Sequence, residues 1–404
     1  MRRTTRRTTL LGVYAHSVIT PHRKIERAAI EFAQGRIKAI TTDVPVCPAG
    51  FIDASDAIVI PGLVDLQVNG ALGYSFQAQD RAHFDEAVAF HLHSGTTTLL
   101  PTLITAPEAT LTHSLAILSG YMADQTTGCT LAGIHLEGPF LAPAKRGAHE
   151  ETALRLPNAA LMQQFIDMAN GAITLTTLAP ELPGSLQLIP QLCAQGIVVS
   201  AGHSAATLAQ MQAATEAGLT MITHAGNASD WPHRELNHLG FMGSEPGVVG
   251  ALMALPKLCA GIILDGFHFH PALLRPLLQI KGMTGLFLVS DASTVAGCAP
   301  GDYEGGGLMA RVDERGFATS LRGGNVLAGS TITLLQALQR AVILAGLSLQ
   351  EAVTLATHAP AHAMGLASHK GSLEVGADAD LLILNQQLSL RTVIAGGYLI
   401  APTP

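Results

Sequence analysis

Six short segments of this 404-residue chain hold polar residues of the types that do chemistry. They are Asp65-Leu66-Gln67-Val68-Asn69-Gly70, His135-Leu136-Glu137-Gly138-Pro139, Ala201-Gly202-His203-Ser204, Thr223-His224-Ala225-Gly226-Asn227, Asp265-Gly266-Phe267-His268-Phe269-His270 and Ser290-Asp291-Ala292-Ser293. Each closes an apolar, β-rich run. Singly, each is more simply a hydrogen-bonded structural residue, and with 17 His some fall near strand ends by chance. Together they offer one Glu, two or three His and one Asp at a common place. Dehydrating such groups without partners costs on the order of a few kcal/mol each, and a bound metal removes that cost. A Glu oxygen and two imidazole nitrogens suit a divalent ion, zinc first, with iron or manganese as alternatives. A metal brings the pKa of water from 15.7 toward about 7. At about 1.36 kcal/mol per unit that is roughly 12 kcal/mol of easier deprotonation. Asp291 then has only to take a proton from acidified water and pass it to a leaving group, as general base and acid.

Such residues converge only if the strands that carry them lie side by side. Eight apolar runs recur: Gly62–Val68, Thr96–Leu100, Leu131–Leu136, Ile173–Leu178, Ile197–Ala201, Met221–His224, Cys259–Leu264 and Leu286–Ser290. Stretches of helical spacing alternate with them, among them Asp80–Ser94, Asn158–Met168, Ala205–Ala217 and Thr331–Leu344. This pattern predicts an α/β fold, a (β/α)8 TIM-like barrel. A doubly wound sheet is the rival. It fits less well, because the polar residues follow many strands rather than one switch point. Short strands at both ends (Leu10–Tyr14, Ala28–Glu31, Arg36–Ile40 and Ala57–Ile60; then Gly371–Asp380, Leu381–Leu384 and Arg391–Ala395) predict one small antiparallel β domain made by both termini. The expected division is 1–60 plus 371–404 for that unit and 61–370 for the barrel.

Composition narrows the function. Charged residues are 13 % of the chain, against a usual share of about 25 %, which fits a large core or a hidden oligomer surface. A net charge of −7 argues against nucleic-acid binding. No apolar run reaches the roughly 18 residues of a membrane span. The five Cys are widely spaced without a CxxC, so a reducing, cytoplasmic setting is expected. The opening Arg2, Arg3, Arg6 and Arg7 read as a solvated tail.

Several motifs resemble a known family. Pro61-Gly62-Leu63-Val64-Asp65 and Gly376-Ala377-Asp378-Ala379-Asp380-Leu381 resemble the amidohydrolase superfamily. His135-Leu136-Glu137-Gly138-Pro139-Phe140, Lys145-Arg146-Gly147-Ala148-His149, Gly202-His203-Ser204, Glu245-Pro246-Gly247-Val248-Val249-Gly250, Asp265-Gly266-Phe267-His268 and Ser290-Asp291-Ala292 resemble its N-acetylglucosamine-6-phosphate deacetylase family. The resemblance implies a (β/α)8 barrel beside a small β-sandwich made from both termini, commonly as a homodimer, and metal-dependent hydrolysis of an amino-sugar acetamide. It implies Glu137, His203 and His224 as metal ligands, Asp291 as the acid/base, and substrate contacts at His149, Asn227, Ala228 and His268. Asp65-Leu66-Gln67 stands where many superfamily members have the His-x-His of a second metal. One metal per chain is therefore expected, with Gln67 facing substrate.

One departure concerns specificity. The family has an Arg before Glu-Pro-Gly that grips phosphate; here Ser244 stands there, after an altered loop containing Trp231, His233, Arg234 and His238. Serine supplies no bidentate, charge-assisted grip. Arg234, helped by His233 or His238, is the expected replacement. The alternatives are an unphosphorylated N-acetylhexosamine, N-acetylgalactosamine 6-phosphate, or a non-catalytic sugar-phosphate-binding protein. Trp231 reads first as a loop anchor and second as a platform for a sugar face. Gly329-Ser330 resembles a family loop near the substrate, but most Gly-Ser pairs are turns, and it is left out of the expected site.

Overall fold

The computed structural model describes residues 10–77, 80–236, 241–322 and 326–400. All eight expected barrel strands form, at Leu63–Val68, Thr96–Ile104, Ile134–Glu137, Ile173–Leu178, Val198–Ala201, Met221–Ile222, Cys259–Ile263 and Leu286–Val289. Each pairs in parallel with the next, from the first to the eighth. The ring closes through a bridge from Val68 to Ala292 and a 3.1 Å bond from the Ser290 N–H to Asp65 Oδ1. Nearly all strand residues are buried, which is why these strands read as continuous apolar runs rather than alternating ones. The third strand starts later than expected. Gly133 separates it from Thr130–Leu131 at φ +136, and a Cβ there would meet Thr174 Oγ1 at 1.9 Å. The backbone must turn and approach its neighbour at that point, and only glycine permits both.

The helices follow their periodicity. Leu208–Ala217 and Leu334–Ile343 each begin at a Thr whose hydroxyl accepts from the third residue on, with a Gln returning the bond. Leu334–Ile343 turns Leu334, Leu335, Ala337, Leu338 and Ala341 toward the barrel.

Both termini enter one seven-stranded sheet, in the order Tyr398–Ile400, Leu390–Ala395, Leu381–Leu384, Ile52–Pro61, Gly12–Ile19, Lys24–Ala33 and Arg36–Thr41. Side-chain alternation divides its two faces. Val59, Leu381, Ile383 and Ile394 join a separate small core, whereas Ile58, Ile60, Leu382 and Leu384 merge with the barrel core. Gly371–Asp380, expected as β-like, forms bends and a turn with a single β-bridge, from Asp378 to Arg36. Its polar residues are committed elsewhere. Buried Lys370 bonds Asp380 Oδ2 at 2.8 Å, Asp378 Oδ2 at 2.9 Å and Thr130 Oγ1 of the barrel at 2.7 Å. Burial would lower the Lys370 pKa, but the two carboxylates hold it above the ordinary lysine value. Lys370→Met leaves those carboxylates facing each other. It is expected to cost about 3–5 kcal/mol, read as a lower urea midpoint at unchanged metal content.

Candidate active site

The carboxyl ends of the strands open into a cavity of about 530 Å³, whose wall includes Asn69, Glu137, His149, His203, His224, Asn227, Ala228, His268 and Asp291. Active sites of such barrels lie at this face. Glu137 ends the third strand and is its focus. Its Oε1 lies 2.9 Å from His224 Nε2 and 3.3 Å from His203 Nε2, and all three side chains are under 8 % exposed. Burial would raise the Glu137 pKa, but the two rings hold it well below the usual carboxylate range. Glu137 raises the His224 pKa in return, against the effect of burial.

Four residues at this mouth take positive φ without being glycine: His203 (+50°), His224 (+30°), Ala228 (+46°) and Asp291 (+46°). Such backbone costs about 1–3 kcal/mol per residue and persists where the surroundings dictate it. Each strand turns sharply as it leaves the barrel and throws its side chain back over the mouth. The loop carrying Gly147 lies close above, and a Cβ there would stand 3.3 Å from His203 Cε1.

Two donor sets fit a cation. Ligand atoms of Glu137, His149 and His203 come within 4.8 Å of one another, and Glu137, His203 and His224 share the contacts above. Hydrogen bonding separates them. His203 Nδ1 faces the Lys145 carbonyl at 2.8 Å, so Nδ1 carries a proton and Nε2, toward Glu137, is the nitrogen left for a cation. His149 Nδ1 instead accepts from the Thr105 N–H at 3.3 Å, and burial pushes its pKa down to about 3. His149 is therefore neutral with its proton on Nε2, which makes that atom a hydrogen-bond donor in this arrangement. The oxygen and two nitrogens of Glu137, His203 and His224 match what a divalent ion takes.

Asp291 lines the cavity, and its Oδ1 accepts from Asn69 Nδ2 at 2.8 Å. Burial, then the Glu137 charge, pushes its pKa up to about 6. His268 is held by Asp265, with Nδ1 to Oδ2 at 2.6 Å.

Two expected contacts are not brought to the cavity wall. Gln67 belongs to the first strand and points into the barrel interior, where it lines a small void with His135 and Thr223. Asn69, two residues on and past the strand end, reaches the mouth in its place. Arg234 lies on an exposed hairpin of His233–Leu236 with Met242–Glu245, directly opposite Ser244, and its Nη2 approaches the Met242 carbonyl at 3.4 Å. His238 lies outside the described residues. Trp231 bonds the Gly226 carbonyl at 3.2 Å and is absent from the cavity wall, as suits a loop anchor. Gly329, read as part of a turn, does line the cavity, as do Lys145 and Arg146.

The amidohydrolase family model matches residues 58–400. An N-acetylglucosamine-6-phosphate deacetylase of Danio rerio is 36 % identical, the match covering 85 % of each chain. That of Bacillus subtilis is 29 % identical over 94 % of each. The structure of a mutant Mycobacterium smegmatis N-acetyl-D-glucosamine-6-phosphate deacetylase, in complex with N-acetyl-D-glucosamine-6-phosphate, superposes with a TM-score of 0.88 at 32 % identity, covering 97 % of this chain and 99 % of that one. The family match, these relatives and the shared fold agree: the chain belongs to the amidohydrolase family, among the N-acetylglucosamine-6-phosphate deacetylases.

Proposed function

We propose that the protein hydrolyses the acetamide of N-acetylglucosamine 6-phosphate, giving acetate and glucosamine 6-phosphate. The observation that carries this is the buried Glu137–His203–His224 cluster beside Asp291, a carboxylate that lines the same cavity. Glu137 Oε1, His203 Nε2 and His224 Nε2 would hold one divalent metal, zinc by donor type. A cation there supplies Lewis-acid polarisation of the amide carbonyl and eases deprotonation of water. Asp291 takes the proton of the attacking water at Oδ2 and delivers it to the amine nitrogen as the C–N bond breaks. Asn69 holds Asp291 by its other oxygen throughout. His149 donates from Nε2 to the substrate, and His268, Asn227 and Ala228 line its sugar side.

Gln67 and Arg234 are left out of this set because their own chain does not bring them to the cavity. Arg234→Ala is expected to change KM for the phosphorylated sugar less than about twofold in steady-state assays, the scale of a surface substitution. A rise of about tenfold would return Arg234 to the phosphate site. The wall itself offers the cations Lys145 and Arg146, although Lys145 is paired with Asp230 and Arg146 with Glu151.

Unpaired cysteines support a cytoplasmic setting. The low charge fraction fits a hidden oligomer surface, and the family resemblance implies a homodimer. No helix among the described residues is long and apolar enough to cross a membrane. Residues 1–60 with 371–404 are taken as the small domain and 61–370 as the barrel.

The substrate is tested by acetate release from N-acetylglucosamine 6-phosphate and N-acetylglucosamine side by side. A strong preference for the phosphate supports the proposal. Equal rates favour the unphosphorylated sugar, the reading that Ser244 and the outlying Arg234 would then explain.

A further inference from the structure

Asp265 is the second residue past the seventh barrel strand, Cys259–Ile263. It is buried, and each oxygen has its own work. Oδ1 accepts from the Phe267 N–H at 2.9 Å and the His268 N–H at 2.8 Å, closing the turn that brings His268 back over the strand end. Any Asp or Asn can make that turn. Oδ2 takes no part in the turn. Among the described residues it meets the ring of His268 alone, with Nδ1 at 2.6 Å. Arg340, on the helix Leu334–Ile343, bonds the Asp265 carbonyl at 2.6 Å and fixes the backbone beneath. The His268 side chain is 6 % exposed, and the residue lines the cavity with Nδ1 already engaged. Nε2 is therefore the nitrogen left to meet a ligand.

We propose that Asp265 is a positioning residue: its Oδ2 fixes the tilt of the His268 ring and keeps a proton on Nδ1, so that Nε2 is the atom presented to the substrate. This rests on the reading that the cavity takes an N-acetylated amino sugar. A carboxylate that accepts only at Nδ1 selects the tautomer of the whole ring, because a neutral imidazole carries one proton. A well-aligned contact of this kind, to a charged partner, is worth roughly a 10- to 100-fold change.

Asp265→Asn separates positioning from folding. Its amide oxygen keeps the turn, while its NH2 faces Nδ1 and drives the ring proton to Nε2, the outcome such an exchange produces in an Asp–His pair. The expected result is an unchanged unfolding midpoint with kcat/KM for the N-acetylated sugar phosphate lowered about 10- to 100-fold. In a His268→Ala background the same exchange is expected to change kcat/KM less than about twofold, because its target is gone. Losses that multiply across this cycle would overturn the proposal and leave Asp265 a turn residue. Nitrogen-15 spectra of the imidazole rings decide it without activity. The signal lost in His268→Ala is expected to show a proton on Nδ1 in the parent and on Nε2 in Asp265→Asn. The same tautomer in both would overturn the proposal even in an active enzyme. A parent protein that releases no acetate would count against the substrate reading, with the tautomer still answering for Asp265.

Discussion

Asp291→Asn is expected to lower kcat by about 10²–10⁴ while metal content and unfolding midpoint stay within error. The amide has nearly the shape of the carboxylate and still offers an oxygen to Asn69 Nδ2, so the hydrogen bond at 2.8 Å survives. What is lost is the lone pair at Oδ2 that takes the proton from water. Ground-state contacts lie elsewhere on the wall, so KM should move far less than kcat. The parent pH profile follows from the same group. Burial and the Glu137 charge push the Asp291 pKa up to about 6, and a bound cation pulls it back down. The basic form is the active one, so kcat is lost as pH falls, with the acid limb at or below about 6. Initial-rate acetate assays from about pH 4 to about pH 9 check both points. An Asp291→Asn variant that keeps most of its kcat would remove Asp291 from the proton path.

Glu137→Gln is expected to empty the site of metal. Glu137 Oε1 is the one oxygen that both His203 Nε2 and His224 Nε2 approach, and it supplies the negative charge of the cluster. Loss of a partner that merely supports a ligand costs about 10–100-fold in metal affinity, and a direct ligand should cost at least the upper end of that range. Competition with a chromophoric chelator measures this, and activity should fall in parallel. In the metal-free parent, Glu137 raises the His224 pKa, so a cation must displace a proton to bind. Metal affinity should therefore weaken as pH falls in the parent and depend less on pH in Glu137→Gln. Unaltered metal content in that variant would point to a ligand set that does without Glu137.

The barrel is legible in the sequence because its strands are buried on both faces and so appear as eight apolar runs. The gathering of the candidate site residues is legible for a related reason: residues at or just past strand ends share one mouth, wherever they lie in the chain. Legibility stops where direction matters more than position. Gln67 and Asn69 look alike two residues apart, yet the strand ends between them, so one faces the interior and the other the mouth. Arg234 stands opposite Ser244 only because a hairpin pairs them, and no local pattern shows which way that hairpin leaves the barrel. His149 and His203 are both imidazoles near Glu137. Their different tautomers depend on a backbone N–H at Thr105 and a carbonyl at Lys145, contacts that no motif encodes. The positive φ values at His203, His224 and Asp291 are equally invisible, since nothing in the run of residue types marks those positions for them.

The most direct test is acetate release from N-acetylglucosamine 6-phosphate by protein stripped of metal with a chelator and then reloaded with zinc, with metal content measured in the same samples. The expected result is acetate and free amine in equal amounts, lost on stripping and restored as the metal content returns to one per chain. Acetate release undiminished in stripped protein, or no release from any N-acetylated amino sugar by the reloaded protein, would contradict metal-dependent deacetylation at this cavity.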